Sequence, residues 1–423
     1  MNAIYIYTQK IIQVFSGILT IYFITYYTTT QEQGYYFIIV NVINTILFFD
    51  LGINSLIVQE ISRKFNLNII GKTRYSINKN IFLNLYYIKS VYKVQLFKVK
   101  ILLILTPFLF VLAENIIINN SNIYWEVPLL IAILFAILSL FTNLFISIIE
   151  GIGDIKCAYF LRGAYYSIGA ILTWVLLYNG EYLYAASSIL ASLNIIILIF
   201  FIKNYSYYFK KILRINTNLL YKKQFVIDIK EFQKKSFVVY FSNYLLLNIP
   251  SIIGFYYLGP IESGRLSLSI IACNLLGSLA SSLFIAKTPV FSNLISLNKI
   301  NDTRLLFKSQ IKIQLIFLLI GYTIFLFVNY VLNIFNINTR FIQFESMIAL
   351  TIMFTAYYLL DSIRIFFKLN GKDFFSYHIV LILFISTLAS CILVSFIGIF
   401  GIIIPYSLIY VFGIMVVYIK IKI

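Results

Sequence analysis

The sequence predicts an all-α, polytopic membrane protein in which twelve transmembrane helices form two six-helix bundles, related by a pseudo-two-fold axis along the membrane normal. Three observations predict this fold. Hydrophobic residues make up 61% of the 423-residue chain and charged residues only 11%, whereas soluble domains have about 45–50% and 25%. Apolar segments recur at regular intervals, and the basic residues alternate between the connections that join them.

Twelve apolar segments are long enough to cross a bilayer, which takes about 20 mostly apolar residues in a helix. We expect spans at 11–29, 35–57, 101–118, 128–150, 163–179, 182–202, 236–257, 266–286, 313–334, 344–363, 376–397 and 402–419. The connections on one side of the membrane are short, among them TQEQG, NGEY and GPIESGR. That side therefore has no room for a separate domain.

Lysine and arginine gather on the other side of the membrane. With the N-terminus inside, 31 of the 33 basic residues fall on the cytoplasmic side, and only Arg265 and Arg340 fall outside it. This bias predicts that both termini are cytoplasmic. It also accounts for the net charge of +18, so we expect no nucleic-acid partner.

A basic segment divides the chain into two halves with six spans each. We expect an N-terminal bundle over 1–202, a basic cytoplasmic linker over 203–235 and a C-terminal bundle over 236–423. Because six is an even number, both halves start from the same side, so they are predicted to be parallel repeats.

Polar residues recur at helical spacing in four of the predicted spans. The stripes are Gln13, Ser16 and Thr20 in the first span, Ser139, Asn143 and Glu150 in the fourth, Asn274 and Ser278 in the eighth, and Thr351, Thr355 and Tyr358 in the tenth, with Asp361 beside them. Such stripes either pack helices together or line a shared polar cavity. For the fourth and tenth spans we favour the cavity, because each stripe ends at an acid and is followed by a glycine turn, GIGD or NGKD.

Three acids are candidates for gating or coupling: Asp50, Glu150 and Asp361. Asp50 lies about two turns from the cytoplasmic end of the second span and must be protonated, hydrated or paired there. Lys10 is its nearest expected cation and Gly52 permits a bend. The polar stripe of Asn41, Asn44 and Thr45 lies on roughly the opposite side of the same helix, so we favour a structural ion pair or bend for Asp50 over a coupling site. For Asp361 the expected partner is Arg364; for Glu150 it is Lys156 or Arg162.

The first long cytoplasmic loop shows an amphipathic pattern. Apolar residues recur at helical spacing from Ile81 to Val99, and Lys79, Lys89, Lys93 and Lys100 cluster on the opposite face. This pattern predicts a helix that lies on the inner leaflet and directs its lysines at anionic lipid headgroups.

The sequence offers little for catalysis or metal binding. Cys157, Cys273 and Cys391 are scattered singly, and His378 is the only histidine. No spacing typical of a metal site occurs, so we expect no cofactor, no metal and no enzymatic activity.

Three segments resemble the O-antigen and capsular polysaccharide flippases of the multidrug/oligosaccharidyl-lipid/polysaccharide exporter superfamily. They are DLGIN-x4-QEISRK from Asp50, GYY at 34–36 and EGIGDIKCAYFLRG from Glu150. The resemblance implies a carrier in the bacterial inner membrane that moves an undecaprenyl-pyrophosphate-linked oligosaccharide to the outer leaflet. It also implies membrane lipids as partners, and a polysaccharide polymerase and a chain-length regulator as further ones.

Such a carrier needs cations for the pyrophosphate. The candidates, where predicted helices meet the cytoplasm, are Lys10, Arg63, Arg162, Lys287 and Arg364. Two other functions stay open. A drug/cation antiporter would share the twelve-span plan, and a membrane-embedded polymerase or glycosyltransferase would be expected to carry a large external loop.

Overall fold

The computed structural model describes residues 2–64, 79–117, 123–214, 237, 240–297, 299–334, 340–369 and 375–422. Within these ranges the regular elements are all helices. In chain order they are α1 (Asn2–Tyr27), α2 (Thr30–Phe48), α3 (Ile53–Lys64), α4 (Lys79–Ile117), α5 (Glu126–Ile152), α6 (Ile155–Tyr178), α7 (Tyr182–Ala185), α8 (Ser188–Arg214), α9 (Ile249–Ile285), α10 (Thr288–Ser296), α11 (Ile300–Ile334), α12 (Phe344–Leu369), α13 (Phe375–Ile397) and α14 (Ile399–Lys422). Residues 240–247 are helical as well.

Six helical stretches among the described residues are long and apolar enough to cross a bilayer. They are Thr8–Tyr27, Glu126–Ile152, Ile155–Tyr178, Tyr240–Ile285, Asn301–Val331 and Phe344–Phe367. Three shorter apolar helices, Ser188–Asn204, Leu383–Ile397 and Ile399–Val411, accompany them. The chain is therefore a multi-pass membrane protein; the count of twelve spans and the pseudo-two-fold relation stay predictions.

The helix from Tyr240 to Ile285 contains a kink where the sequence predicts the turn between spans seven and eight. Gly259 has φ 83° and ψ 178°, and Pro260 follows it. Proline removes a backbone donor and glycine tolerates positive φ, so the pair interrupts the helical hydrogen bonds at this point.

Helix α4 corrects one expectation. The amphipathic segment and the predicted third span form a single 39-residue helix, Lys79–Ile117, about 58 Å long at 1.5 Å per residue. The segment therefore does not turn at residue 100 to form a separate helix on the inner leaflet. The helical period of the apolar residues was right, but it cannot distinguish a surface helix from the extension of a span.

The described residues cluster into two compact units. The first unit contains residues 1–28 and 39–240, and the second contains 29–38 and 241–423. The first half of α2 thus packs within the second unit, and its second half within the first.

The core of the first unit joins α3, α5, α6 and α8. Ile57 and Ile61 of α3 pack with Leu144 of α5 and Leu161 of α6. The approach between α3 and α5 is close: a Cβ added to Gly151 would lie 2.9 Å from Cβ of Ile61. A glycine at this position therefore permits the contact.

The core of the second unit joins α9, α11, α12 and α14, with Leu350, Phe354 and Tyr406 among its buried side chains. Residues 29–38 pack against α9 in this unit. The side-chain amide of Gln33 donates to the carbonyl oxygens of Gly264 at 2.9 Å and Arg340 at 3.1 Å. A Cβ on Gly34 would lie 2.0 Å from the carbonyl oxygen of Pro260, so only glycine fits.

Candidate functional site

In the first unit, Glu150 and Arg162 form an ion pair between two helices. Nη2 of Arg162 on α6 lies 2.6 Å from Oε2 of Glu150 at the end of α5. The Tyr159 hydroxyl donates to Oε1 of Glu150 at 3.3 Å. The Arg162 guanidinium also lies 4.9 Å from the centre of the Tyr159 ring, a distance at which the ring face attracts a cation.

The GIGD turn holds this pair in place. Gly153 ends α5 in the left-handed region at φ 99°, and its N–H donates to the carbonyl oxygen of Glu150 at 3.0 Å. Asp154 then caps α6 by accepting a hydrogen bond from the N–H of Cys157. Two tight helix ends in succession bring Arg162 back over Glu150.

Lys10 lies on the neighbouring helix α1 and is exposed. Its ammonium donates to Oε1 of Gln13 at 3.3 Å, and the Gln13 amide donates to the Tyr166 hydroxyl at 3.3 Å. Tyr166 and Arg162 are four residues apart on α6, so they share one face of that helix. The structure thus places two of the five predicted headgroup cations in one neighbourhood.

A groove of about 220 Å³ lies between α1 and α6 beside these residues. Its walls include Tyr5, Thr8, Gln9, Tyr159, Gly163 and Ser167. The groove combines hydroxyl and amide groups with apolar walls, and Lys156 lies near one end, 5.5 Å from the centre of the Tyr5 ring.

The polar stripe of α1 faces α6. The Trp174 indole N–H donates to the Thr20 hydroxyl at 3.0 Å, and the Trp174 ring stacks on Phe23 with centroids 5.5 Å apart. The Ser16 hydroxyl donates to the carbonyl oxygen of Gln13 in its own helix. Gln13 and Thr20 therefore contribute to helix packing as well as to the polar surface.

The stripe of α5 lies mostly inside the first unit. Ser139 is fully buried and donates to the carbonyl oxygen of Ala136. The neighbouring Thr142 donates to Oδ1 of Asn194 on α8 at 2.8 Å. Asn143 is half-buried, and its carbonyl oxygen accepts a hydrogen bond from Ser147. This geometry is typical of helix packing, the alternative that the sequence left open.

Asp50 lies in a break between α2 and α3. Leu51 and Gly52 both have positive φ, 49° and 75°, so the bend at Gly52 is present. Lys98 of α4, not Lys10, supplies the cation. Its ammonium donates to the carbonyl oxygens of Phe49 at 3.0 Å and Asp50 at 3.4 Å. Asp50 and Lys98 are far apart in sequence, so loop position alone pointed to the wrong lysine.

In the second unit, Asp361 and Arg364 form an ion pair within α12, as their spacing of three residues predicts. One turn earlier, the Tyr357 hydroxyl donates to Oδ1 of Asn243 at 3.1 Å. Ser362, next to Asp361, donates to Oε1 of Gln314 on α11 at 2.7 Å.

The stripes of the eighth and tenth predicted spans meet in the second unit. The Tyr358 hydroxyl is placed to donate to either oxygen of Asn274, and lies 2.9 Å from its carbonyl oxygen. Gly277 makes room for the ring: a Cβ there would lie 1.9 Å from Cε2 of Tyr358. Thr351 is buried and Thr355 half-buried, and both donate to backbone carbonyls of α12, whereas Ser278 is exposed.

The remaining candidates are placed as follows. Lys287 is exposed just before α10. Arg63 belongs to α3, but its side chain lies outside the described part of the structure, as does the NGKD turn. No three residues among the described His, Cys, Asp and Glu are grouped as metal ligands.

Sequence reasoning missed four polar residues that complete these networks: Gln95, Lys98, Tyr166 and Gln314. Gln95 is fully buried, and its amide donates to the carbonyl oxygen of Leu140 at 2.9 Å. Gln314 likewise donates to the carbonyl oxygen of Tyr358 at 3.1 Å. Gln314 begins an apolar run, QLIFLLI, and a glutamine there is a signal that would have identified it; Gln95 stands between Lys93 and Lys98, where the sequence gives no such signal.

The helices and their buried polar networks define a multi-pass helical membrane protein. No protein-family model matches the sequence, and no curated protein sequence matches it. Solved structures do resemble it. One is a multidrug resistance MATE family transporter of the MOP superfamily in its inward-facing conformation. The match has a TM-score of 0.73 and 14% identity, and it covers 98% of this chain and 94% of the transporter chain.

Two further structures have related folds. The lipid II flippase MurJ in an inward closed conformation has a TM-score of 0.63 and 14% identity, over 100% of this chain and 87% of that one. A MOP superfamily transporter from Pyrococcus furiosus has a TM-score of 0.59 and 12% identity, over 100% and 95%. The chain therefore has the fold of MOP superfamily transporters; identities this low show the fold alone.

Proposed function

We propose that this protein is a flippase that moves an undecaprenyl-pyrophosphate-linked oligosaccharide repeat unit across the bacterial inner membrane by alternating access, for O-antigen or capsule synthesis. The fold is compatible with this function and with drug export, because the structures it resembles include a lipid II flippase and a multidrug transporter. We base the choice between the two functions on the charges of the described residues.

One observation carries the proposal: each of the three candidate acids has a basic side chain beside it. Glu150 is bound to Arg162 and Asp361 to Arg364, and Lys98 donates to the main chain of Asp50. A cationic drug would have to displace Arg162 to reach Glu150, or Arg364 to reach Asp361. An anionic headgroup binds basic side chains and does not need to reach a carboxylate.

The predicted cytoplasmic end of the first unit carries an excess of positive charge. Three basic residues lie there, Lys10, Lys156 and Arg162, compared with two acidic residues, Glu150 and Asp154. The groove between α1 and α6 lies beside them. A pyrophosphate has several anionic oxygens, so it binds well where lysine and arginine converge. We assign the capture of the headgroup to this neighbourhood, with Lys10 as the first contact because it is exposed.

The experiment is to delete the gene and extract the lipid-linked sugars. The expected result is accumulation of an undecaprenyl-pyrophosphate-linked repeat unit in the inner leaflet, with loss of the surface polysaccharide, and recovery of both with the intact gene. The drug/cation antiporter, favoured by the higher TM-score of the multidrug transporter, predicts the opposite pattern. Deletion would then raise sensitivity to cationic dyes and leave lipid-linked sugars unchanged.

A further inference from the structure

The break between α2 and α3 exposes two helix ends of opposite polarity within the first unit. Short turns pair some of the groups at these ends: the carbonyl oxygens of residues 46–48 accept from the N–H groups of residues 49–51, and the Ile53 N–H donates to the carbonyl oxygen of Asp50. The helix dipole still makes the first end negative and the second positive. The break therefore calls for a cation at the end of α2 and an anion at the start of α3.

Asp50 and Lys98 meet these two requirements. The Asp50 carboxylate accepts hydrogen bonds from the backbone N–H groups of Gly52 and Asn54, at the start of α3. The Lys98 ammonium donates to the carbonyl oxygens of Phe49 and Asp50, at the end of α2. A lysine on α4 thus occupies the position where a cation is required.

Further polar side chains lie near Asp50. Oδ1 of Asp50 accepts a hydrogen bond from the Gln95 amide at 3.4 Å. Gln95 is fully buried, and its own Oε1 is buried with no hydrogen-bond partner among the described residues. Oδ1 of Asn54 is likewise buried with no hydrogen-bond partner among the described residues. The two backbone carbonyls hold the ammonium, and the carboxylate and the two amide oxygens belong to residues around it. Backbone carbonyls at the ends of broken helices are ligands with which membrane proteins bind sodium.

We propose that this break is a monovalent-cation site whose occupant is the chain's own Lys98 ammonium. The tethered ammonium takes the place of a free sodium ion, so the intact protein needs no dissolved cation at this position. Removal of the Lys98 side chain opens the site to sodium. The site lies within the first unit and does not depend on which substrate is transported.

The test compares the melting temperature of the purified full chain in NaCl and in choline chloride at equal ionic strength, since choline is too large for the site. We expect the intact protein to melt at the same temperature in both salts. Lys98→Ala and Lys98→Met should melt lower in choline chloride and recover by about 3 °C in saturating NaCl, because a ligand that binds only the folded state stabilises it. Lys93→Met, an exposed residue on the same helix, is the control and should show no such difference.

The double variant Lys98→Met with Asp50→Asn should lose the sodium effect, since the carboxylate supplies the charge that retains the ion. Recovery of the Lys98 variants in NaCl but not in choline chloride would also support the proposal. Equal melting temperatures of both Lys98 variants in the two salts would overturn it. So would a sodium effect of the same size in the intact protein, or failure of both variants to fold in either salt.

Discussion

The guanidinium of Arg162 lies 2.6 Å from the carboxylate of Glu150, and the two side chains reach each other from different helices, α6 and α5. Both are largely shielded, with 25% and 17% of their side chains exposed. Because this ion pair joins two helices, their relative position depends on the pair remaining formed. A partly buried pair of this kind is costly to break on one side only, because the remaining charge is left without a partner.

The first prediction concerns that pair. Glu150→Gln and Arg162→Gln should each reduce transport, and the double variant should lose less than the sum of the two, with a coupling of about 1 kcal/mol. A double-mutant cycle on transport rate and on melting temperature measures it. The control is Glu262 with Arg265, a more exposed pair within one helix, for which the coupling should be near zero. Strictly additive effects at Glu150 and Arg162 would refute a shared role.

Lys10→Gln should weaken transport of an anionic lipid headgroup and raise the apparent KM more than it lowers the maximal rate. Lys10 is exposed, and among the described residues Gln13 alone accepts a hydrogen bond from its ammonium, so its charge is available to a ligand. Lys93→Gln removes an equally exposed lysine of α4 and should leave both parameters within twofold. Equal effects of the two substitutions in a dose–response measurement would rule out headgroup capture by Lys10.

Gly277→Ala should destabilise the second unit and displace Tyr358 from Asn274. The new methyl group would lie 1.9 Å from the Tyr358 ring, and overpacking of this kind costs about 1–3 kcal/mol. Gly321→Ala on α11 is the matched control, because no atom lies within 4 Å of its added Cβ and alanine is the better helix former. Thermal unfolding should show a lower melting temperature for the first variant and no loss for the second.

Asp154→Ala should loosen the start of α6 and lower stability by about 1 kcal/mol, the usual cost of a lost N-cap. Asp154→Asn keeps an oxygen acceptor for the N–H of Cys157 and should remain close to the parent. If the two variants unfold at the same denaturant concentration, the cap does not hold the turn after α5.

The sequence predicted local geometry better than long-range contacts. Asp361 and Arg364 are three residues apart, so helical periodicity alone brings them together. Gly52 and Gly153 mark backbone positions with positive φ, which glycine tolerates. These features depend on neighbours in the chain, and a single sequence contains that information.

The partner of Asp50 could not be predicted in this way. Lys98 reaches it from a helix 48 residues further along the chain, and the choice between Lys98 and Lys10 depends on how α4 packs. The prediction that the amphipathic segment before residue 100 forms a surface helix was wrong for the same reason. Its apolar face is complementary to protein as well as to lipid, and buried Gln95 shows that part of it packs against α5.

The most direct test of the proposed function is transport by the purified protein in proteoliposomes, with a fluorescent undecaprenyl-pyrophosphate-linked oligosaccharide as substrate. We predict that the label becomes accessible on the opposite leaflet faster than in empty vesicles, that Lys10→Gln slows this transfer, and that ethidium is not transported. Transport of ethidium with no transfer of the lipid-linked oligosaccharide would contradict the account and favour a drug/cation antiporter.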